Sequence, residues 1–537
     1  MDNRMTGIRQ KTGYIWAFLI AFLPRLFWSL QAIPLRTVSD ELSTMNGAVF
    51  FSSQNWNAVV SKAGYYGFGM SILATPLMQW IKDPVILYRT LLICTGLLVS
   101  VAAVICFYLL KRVFGITDEK KALLMTATVS YVTVVRTTVF YNEHMLMLIS
   151  WCMCLVLAKL VLTEEPKKRA VWTGFFVLLM LYALTVHART TTYIIAAVLV
   201  VLLYGVLYRK KLISLPVFAI FTAGGYILMK KGIKMYQSVV WSAAEGVRNT
   251  RVNIGEEKLS LLKTVEGIKS CLFTIFGQIN IASMISGGLL ITALVMVILL
   301  IVRKGKEAFV LKTIQADNKE EQLYFVIGSF FVLCTGMTIA AQSLTWIATA
   351  TNAIMDGYGT KEYGTKAFTY LRYMMPYLQP LLTLVFVTME KQKDLFLSCF
   401  RKSIKYIVLI QGIWLAFILP YCYGNKQAGE EFICFALADR NIATAHTYLP
   451  ATLVFVIMLL IFFWAGKKGK FQIIMLVLLV TAGYKYCYNA YNWDILTQKE
   501  NEKKIDTVYE VLGSGELGKE QLTDKLYGLD LSGADDH

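Results

Sequence analysis

Charged residues are scarce in this chain. Asp, Glu, Lys and Arg make up 16% of its 537 residues, whereas hydrophobic residues make up 56%, and the mean hydropathy is +0.55. A water-soluble domain of this size does not tolerate that balance. Apolar runs of roughly 17–25 residues, long enough to cross a bilayer, recur along nearly the whole sequence. The sequence therefore predicts an all-α polytopic membrane protein with no room for a large soluble domain.

Metal-binding patterns are also missing. Ten cysteines are scattered, mostly inside apolar runs and without a CxxC pair, and no dense carboxylate cluster is present, so an obligatory metal is not expected. A divalent metal at Asp40/Glu41 stays open as an alternative. Cys422 and Cys434 share one predicted external loop, where they either pair or coincide by chance. Four histidines form no ligand motif: His144, His187, His446 and His537.

The chain is basic, with a formal net charge of +18. Its Lys and Arg residues do not form the stripe typical of a nucleic-acid surface; they lie in short clusters between apolar runs, as cytoplasmic loops do. We expect the protein to lie in the plasma membrane with its N-terminus in the cytoplasm. This orientation places six basic clusters on the cytoplasmic side: Lys111/Arg112/Lys120/Lys121, Lys167/Lys168/Arg169, Arg209/Lys210/Lys211, Arg303/Lys304/Lys306, Lys391/Lys393/Arg401/Lys402 and Lys467/Lys468/Lys470.

Hydropathy predicts about thirteen membrane spans, and the first apolar run lacks the small-residue cleavage site of a signal peptide. We expect a bundle over residues 1–489 and a short extracytoplasmic tail over 490–537. Helical spacing over Ser260–Phe276 predicts a helix in the interface plane. The external loops are predicted at about 35–84, 230–283, 348–370 and 421–447. The spans are predicted near 14–34, 85–110, 121–139, 144–162, 171–187, 190–208, 212–229, 284–302, 322–347, 371–389, 405–420, 448–465 and 471–489.

Adjacent carboxylates follow the first predicted span. Asp40 and Glu41 precede a segment that opens with the paired tyrosines Tyr65 and Tyr66. Partial burial and like-charge proximity raise the pKa of a carboxylate, which suits a general base for a hydroxyl or amine acceptor. The alternative is a solvated loop with two ordinary acids.

A second acidic position lies in the turn between the third and fourth predicted spans, where Tyr141 and Asn142 precede Glu143 and His144. An ionisable group at membrane depth is costly and marks a candidate functional site. An interfacial polar turn is the alternative.

Cations also collect on the predicted outer side, against the general bias. A lipid phosphate would pair with them, whereas the lysines could equally anchor the chain to headgroups. Arg189 and Arg372 stand at helix ends beside aromatic or polar residues, which favours the phosphate hypothesis. The full set is His187, Arg189, Lys230, Lys231, Lys234, Arg248, Arg251 and Arg372.

These features resemble the GT-C superfamily of integral-membrane glycosyltransferases, which includes the protein O-mannosyltransferases and the bacterial aminoarabinose transferase. The resemblance covers about the first 210 residues and Leu371–Pro376. It rests on the order of the motifs: the acidic pair, the tyrosine-rich segment, an interfacial helix Ser71–Pro84 and Tyr88-Arg89 opening the next long helix. Glu143 looks like the family's second acidic position, and Arg372-Tyr373-x-x-Pro resembles its late Arg-Tyr-x-x-Pro motif.

The resemblance implies transfer of a sugar, with inversion, from a polyprenyl-phosphate donor to a cell-envelope glycan, lipid or protein on the extracytoplasmic face. It implies Asp40 as the base, with Glu41 and Glu143 as supporting acids. For the donor phosphate it implies Arg189 and Arg372, with Lys230 or Lys231 as further candidates. As residues that contact the substrate we expect Tyr65, Tyr66, His144, His187 and Tyr373.

The sequence departs from the oligosaccharyltransferases, because it lacks their Trp-Trp-Asp signature and a sizeable C-terminal domain. Two alternatives to the transferase remain. A transporter or flippase of lipid-linked glycans would typically show repeated halves and helices broken at mid-membrane, and neither pattern is evident. A polysaccharide polymerase would be expected to depend on a large late external loop, and the 421–447 loop is modest.

Overall fold

The computed structural model describes residues 2–32, 38–51, 67–81, 83–133, 138–240, 255–311, 318–424 and 445–496. Every regular element in these ranges is a helix. The first nine α-helices are α1 (Asp2–Ser29), α2 (Val38–Phe51), α3 (Thr75–Trp80), α4 (Pro84–Tyr108), α5 (Glu119–Val132), α6 (Asn142–Leu162), α7 (Pro166–Val186), α8 (Thr191–Tyr208) and α9 (Leu215–Val240). The next nine are α10 (Glu256–Leu261), α11 (Val265–Ile285), α12 (Leu289–Lys306), α13 (Lys319–Thr345), α14 (Ile347–Asp356), α15 (Met375–Lys391), α16 (Lys393–Ile413), α17 (Ala445–Lys468) and α18 (Phe471–Tyr488).

The chain is a polytopic membrane protein. Nine helices within the described ranges are long and apolar enough to cross a bilayer: α4, α6, α7, α8, α11, α13, α16, α17 and α18. Large apolar side chains lie exposed on their outer faces and on α9, among them Leu228 (71%) and Val480 (67%). Such faces are costly in water and stable against lipid.

Eight of the thirteen predicted spans coincide with these candidate spans. Three of the other five differ for local reasons. The span predicted over 121–139 is too long, because α5 ends at Val132. α15 has only 17 residues, and α12 carries three basic residues in its last turn, which lower its hydropathy.

Two helix boundaries correct the sequence prediction. The predicted interfacial helix Ser71–Pro84 ends at Trp80, because Pro84 is the first residue of α4 and Asp83 caps that helix by accepting from Ile86 N at 2.8 Å. In place of one helix over Ser260–Phe276, the chain forms α10 and then α11. α11 has 21 residues and qualifies as a candidate span rather than a short interfacial helix.

Antiparallel packing gives the bundle two distinct ends. α13 packs against α6, α8, α12 and α15. The starts of α6, α8 and α15 meet the end of α13 at one end of the bundle, which we name the site end. The opposite end, where α12 and α15 finish and α13 begins, is named the basic end because Arg303, Lys304 and Lys391 lie there.

Candidate active site

A buried carboxylate lies at the centre of the site end. Glu143 Oε1 is 2.8 Å from Arg189 Nη2 and 3.4 Å from Arg372 Nε. The exposed fractions of the three side chains are 4% for Glu143, 11% for Arg189 and 16% for Arg372. One carboxylate oxygen therefore serves two guanidinium groups in a site that excludes most water, where charge interactions are strong.

Tyrosine rings line the two guanidinium groups. Arg189 Cζ is 3.9 Å from the centroid of the Tyr373 ring, and Arg372 Cζ is 4.6 Å from that of Tyr141. Arg372 Cζ also lies 5.6 Å from the Tyr370 centroid, and the rings of Tyr370 and Tyr373 meet edge to face at 4.9 Å. These cation–π contacts fix the guanidinium planes without neutralising their charge.

Local structure explains how the three charges meet. Glu143 is the second residue of α6, where the helix dipole favours a carboxylate. Arg189 lies in the short 3-10 turn between α7 and α8. Arg372 begins a second 3-10 turn that leads into α15, where a proline stands at the first turn. All three are fixed at helix ends rather than on long loops.

His187 supports the turn that carries Arg189. Its Nδ1 accepts a hydrogen bond from Arg189 N at 3.2 Å, and its carbonyl oxygen accepts from the Thr190 hydroxyl at 2.8 Å. Burial lowers the pKa of His187 well below its usual value, and the charges of Arg189 and Arg372 lower it further. The imidazole is therefore neutral and keeps Nδ1 as an acceptor.

The first acidic segment joins the second through Glu41. This side chain is fully buried, and its Oε1 accepts from the Tyr88 hydroxyl at 2.5 Å and from Phe140 N at 2.9 Å. Phe140 lies three residues before Glu143. Glu41 thereby ties α2 and α4 to the turn that opens α6.

The glycines of the tyrosine-rich segment serve close backbone contact. Phe68 N and Gly69 N both donate to Thr185 O at 2.8 Å, near the end of α7. A Cβ on Gly67, which has φ +127°, would lie 2.3 Å from Thr185 O, and a Cβ on Gly69 would meet the Thr185 hydroxyl at the same distance. Only glycine lets the two segments approach so closely.

The structure brings together five of the predicted site residues: Glu143, Arg189, Arg372, His187 and Tyr373. His144 is buried beside them, with Nδ1 3.0 Å from Tyr141 O. The backbone of Asp40 lies in α2 next to Glu41, but its side chain is outside what the structure describes, as are Tyr65 and Tyr66. Their roles stay predictions.

Lys230 and Lys231 stand apart from this cluster. Both side chains are exposed on α9, and Lys230 Nζ lies 5.1 Å from the centroid of the Tyr226 ring on its own helix. Within the described ranges neither lysine makes an ion pair with Glu143. Their predicted part in phosphate binding has no geometric support here and stays a prediction.

The predictions for a metal and a disulfide depend on residues outside the described ranges. No group of three potential ligands lies together in the described part of the chain, but the side chain of Asp40 is not described, so the possible metal at Asp40/Glu41 stays a prediction. Cys422 is a buried free cysteine, and Cys434 is not described.

Several polar side chains at this end did not stand out in the sequence. The hydrogen-bonding atoms of the Asn142 and Gln342 amides are buried without partners in the described part of the chain. Trp346 and Tyr370 form an aromatic wall with ring centroids 6.1 Å apart. The sequence did contain one signal for Gln342: its amide lies one turn before a tryptophan, close to the end of an apolar helix.

No protein-family model matches the sequence, and a search of curated proteins finds no match. Among solved structures, the chain is similar to the crystal structure of ArnT from Cupriavidus metallidurans bound to undecaprenyl phosphate, with a TM-score of 0.41 and 14% sequence identity over 92% of this chain and 78% of that one. ArnT is an aminoarabinose transferase of the superfamily that the sequence resembles. So distant a likeness assigns no role to any residue.

Proposed function

We propose that the chain is a GT-C-type glycosyltransferase that moves a sugar from a polyprenyl-phosphate donor to a cell-envelope glycan, lipid or protein. The observation that carries the proposal is the environment of the Arg189 guanidinium. Its Nη2 donates to Glu143 at 2.8 Å, whereas Nε and Nη1 are buried and make no hydrogen bond within the described ranges. A buried charged group needs partners for all its donors. The oxygens of a phosphate would supply acceptors of the kind that such donors lack.

The position of the two arginines supports a lipid phosphate as their ligand. Arg189 and Arg372 stand in the 3-10 turns just before α8 and α15, at the boundary between apolar helix and polar turn. Guanidinium groups suit bidentate phosphate recognition, and the aromatic rings around them suit an interface.

The charge asymmetry of the bundle supports the extracytoplasmic face. The basic clusters at the ends of α12 and α15 lie at the basic end, opposite Glu143. Because basic residues accumulate on the cytoplasmic side of short loops, the site end would face outward.

The reaction needs one base and one stabilised leaving group. Asp40 would take the proton from the acceptor hydroxyl or amine as its oxygen or nitrogen bonds to the anomeric carbon. The bond from that carbon to the phosphate oxygen breaks, and the electron pair leaves with the polyprenyl phosphate. Arg189 and Arg372 would stabilise the phosphate charge, and attack from the opposite face inverts the configuration.

Glu41 and Glu143 would act as positioning residues. Glu143 holds both arginines through one oxygen, and Glu41 fixes α2, which carries Asp40, against Tyr88 and Phe140. Preorganised charges cost no rearrangement when the reaction occurs.

Purified protein supplied with an undecaprenyl-phosphate-linked sugar and an envelope extract should transfer the sugar, with inverted configuration at the anomeric carbon by NMR. Asp40→Asn should lower the transfer rate about 10²- to 10⁴-fold, the usual effect of removing a general base. Asp394→Asn, an exposed acid in the first turn of α16, is the matched control and should leave the rate unchanged.

Two outcomes would identify the alternatives. Movement of a lipid-linked glycan across liposomes that Asp40→Asn leaves intact, without transfer, would identify a transporter. Products that grow by many successive units would identify a polymerase.

A further inference from the structure

Gln342, like Asn142, is a buried amide at the site end that has neither its nitrogen nor its oxygen hydrogen-bonded in the described part of the chain. It lies one turn before the end of α13, is 5% exposed, and neither Nε2 nor Oε1 has a hydrogen-bond partner in the described part of the chain. Burying an amide in an apolar bundle without partners is costly. An amide kept under that cost points to a ligand.

The neighbours of Gln342 place it on the face of α13 that looks toward the arginines. Thr338, one turn earlier, faces the Tyr377 hydroxyl without forming a hydrogen bond in this geometry. Trp346, one turn later, lies 6.1 Å from Tyr370 by ring centroids. Residues four apart share a helix face, so Gln342 lies between these two contacts.

This face continues to Arg189. Tyr377 is one turn after Tyr373 in the chain, and the Tyr373 ring lies 3.9 Å from Arg189 Cζ. Gln342 therefore belongs to the same end of the bundle as the guanidinium, on the neighbouring helix.

We infer that Gln342, with Thr338 and the aromatic face of Trp346, forms the subsite that binds the hydroxyl groups of the donor sugar. The inference rests on the proposed function. A phosphate oxygen only accepts hydrogen bonds, so it matches Arg189 but leaves the Gln342 carbonyl unpaired. A sugar hydroxyl both donates and accepts, which satisfies an amide completely. One face of the Trp346 ring stacks on Tyr363 with centroids 5.5 Å apart; the ring stays partly exposed, and its opposite face would contact the C–H face of a sugar.

Other buried glutamines show that this amide is not ordinary packing. Gln379 Oε1 accepts from Trp151 Nε1 at 2.7 Å, and Gln278 Nε2 donates to Ala367 O at 2.9 Å. Gln411 Nε2 donates to Thr452 at 2.9 Å, and Gln322 Oε1 accepts from Tyr204 at 2.8 Å. Of the five buried glutamines in the described ranges, only Gln342 has neither atom paired.

The test compares binding of two kinds of probe by Gln342→Leu. Undecaprenyl phosphate tests the phosphate alone, and a panel of undecaprenyl phosphates carrying a hexose, a pentose or an N-acetylhexosamine tests the sugar. Gln342→Leu should weaken binding of the preferred sugar-bearing lipid about tenfold and change binding of undecaprenyl phosphate less than twofold. Its thermal stability without ligand should equal or exceed that of the wild type, because an unpaired amide is removed.

Gln379→Leu is the matched control. It removes a paired amide, so it should lower thermal stability and leave the preference for sugar-bearing lipid unchanged. Gln342→Asn keeps the amide one carbon shorter and should retain part of that preference.

The inference is overturned if Gln342→Leu weakens both probes equally or neither of them, or if no sugar in the panel binds better than undecaprenyl phosphate. Failure of the proposed function would differ. In that case the wild type transfers no sugar and Arg189→Met leaves binding of undecaprenyl phosphate unchanged.

Discussion

The two ends of the bundle both bury charges, but they balance them differently. At the basic end, the buried Lys304 and the half-exposed Arg303 face Glu307 and Glu321, two cations with two carboxylates. Lys304 Nζ lies 2.7 Å from Glu307 and 2.6 Å from Glu321, and Arg303 pairs with both acids as well. At the site end, one oxygen of Glu143 serves two arginines, and Arg189 keeps two nitrogens without a partner in the described part of the chain.

We attribute a structural role to the charges at the basic end and propose a ligand-binding role for those at the site end. A closed set of ion pairs holds helix ends together and needs nothing further. A set with unpaired buried donors costs free energy, and proteins keep such arrangements where a ligand supplies the missing partner. The same contrast can be tested with matched substitutions at the two ends.

The largest effect is expected for Glu143→Gln. Removing the only described carboxylate of the cluster leaves two buried arginines close together, which should lower the free energy of unfolding by about 3–5 kcal/mol. Glu321→Gln at the basic end leaves Glu307 to pair both cations and should cost less, about 1.5–3 kcal/mol for the weakened hydrogen bonds to a charged group. Thermal denaturation in detergent measures both variants, and equal losses would mean that the two clusters do not differ in kind.

Arg189→Met should act mainly on chemistry. Loss of a donor that stabilises the leaving phosphate should lower kcat/KM for sugar transfer about 10²- to 10³-fold. Arg303→Met is the control at the opposite end, where stability rather than rate should fall. A rate loss of similar size in both variants would contradict the functional reading of the site end.

Tyr88→Phe tests the link between the two acidic segments. Removing the hydroxyl that donates to the Glu41 carboxylate at 2.5 Å should lower stability by about 1.5–3 kcal/mol, the range for hydrogen bonds to charged groups. Because Glu41 fixes α2, transfer should fall as well. Unchanged rate and stability would show that Glu41 does not need this donor.

His187 should make stability depend on pH. Burial lowers its pKa in the folded state well below the usual value of 6.5. Below about pH 6.5 the imidazole is therefore protonated in the unfolded chain but stays neutral in the folded chain. Stability should therefore fall by up to about 1.4 kcal/mol for each pH unit below that point. His187→Asn keeps an acceptor for Arg189 N without titrating, and its melting temperature should fall less between pH 7.5 and 5.5 than that of the wild type. Parallel curves would show that His187 does not contribute.

The positions of many helices were predictable because the hydropathy of a segment depends only on its own residues. α6, α8, α13 and α18 begin and end within a few residues of their predicted spans. The predicted boundaries were wrong where capping residues or the length of the helix determined where a helix begins or ends. Pro84 opens α4 rather than closing the helix before it, and α5 ends at Val132 although hydropathy alone extended it to 139.

The candidate site was predictable only as a set of residue types. Glu143, Arg189 and Arg372 stood out because charges are rare in an apolar sequence and mark function at membrane depth. Which of the cations meet the carboxylate was not predictable. Arg189 and Arg372 reach Glu143 from different helices, whereas Lys230 and Lys231 project from the exposed face of α9.

The sequence by itself determined that the chain lies in a membrane and which rare charges are candidates, because the costs of burying apolar runs and isolated charges depend on composition along the chain. Only the tertiary structure decided that Glu41 joins Tyr88 to Phe140, that Glu143 is shared by two arginines, and that the Gln342 amide lacks a partner. Glu143 lies 46 positions before Arg189 and 229 positions before Arg372 in the chain. No local sequence pattern specifies which helices pack together over such separations.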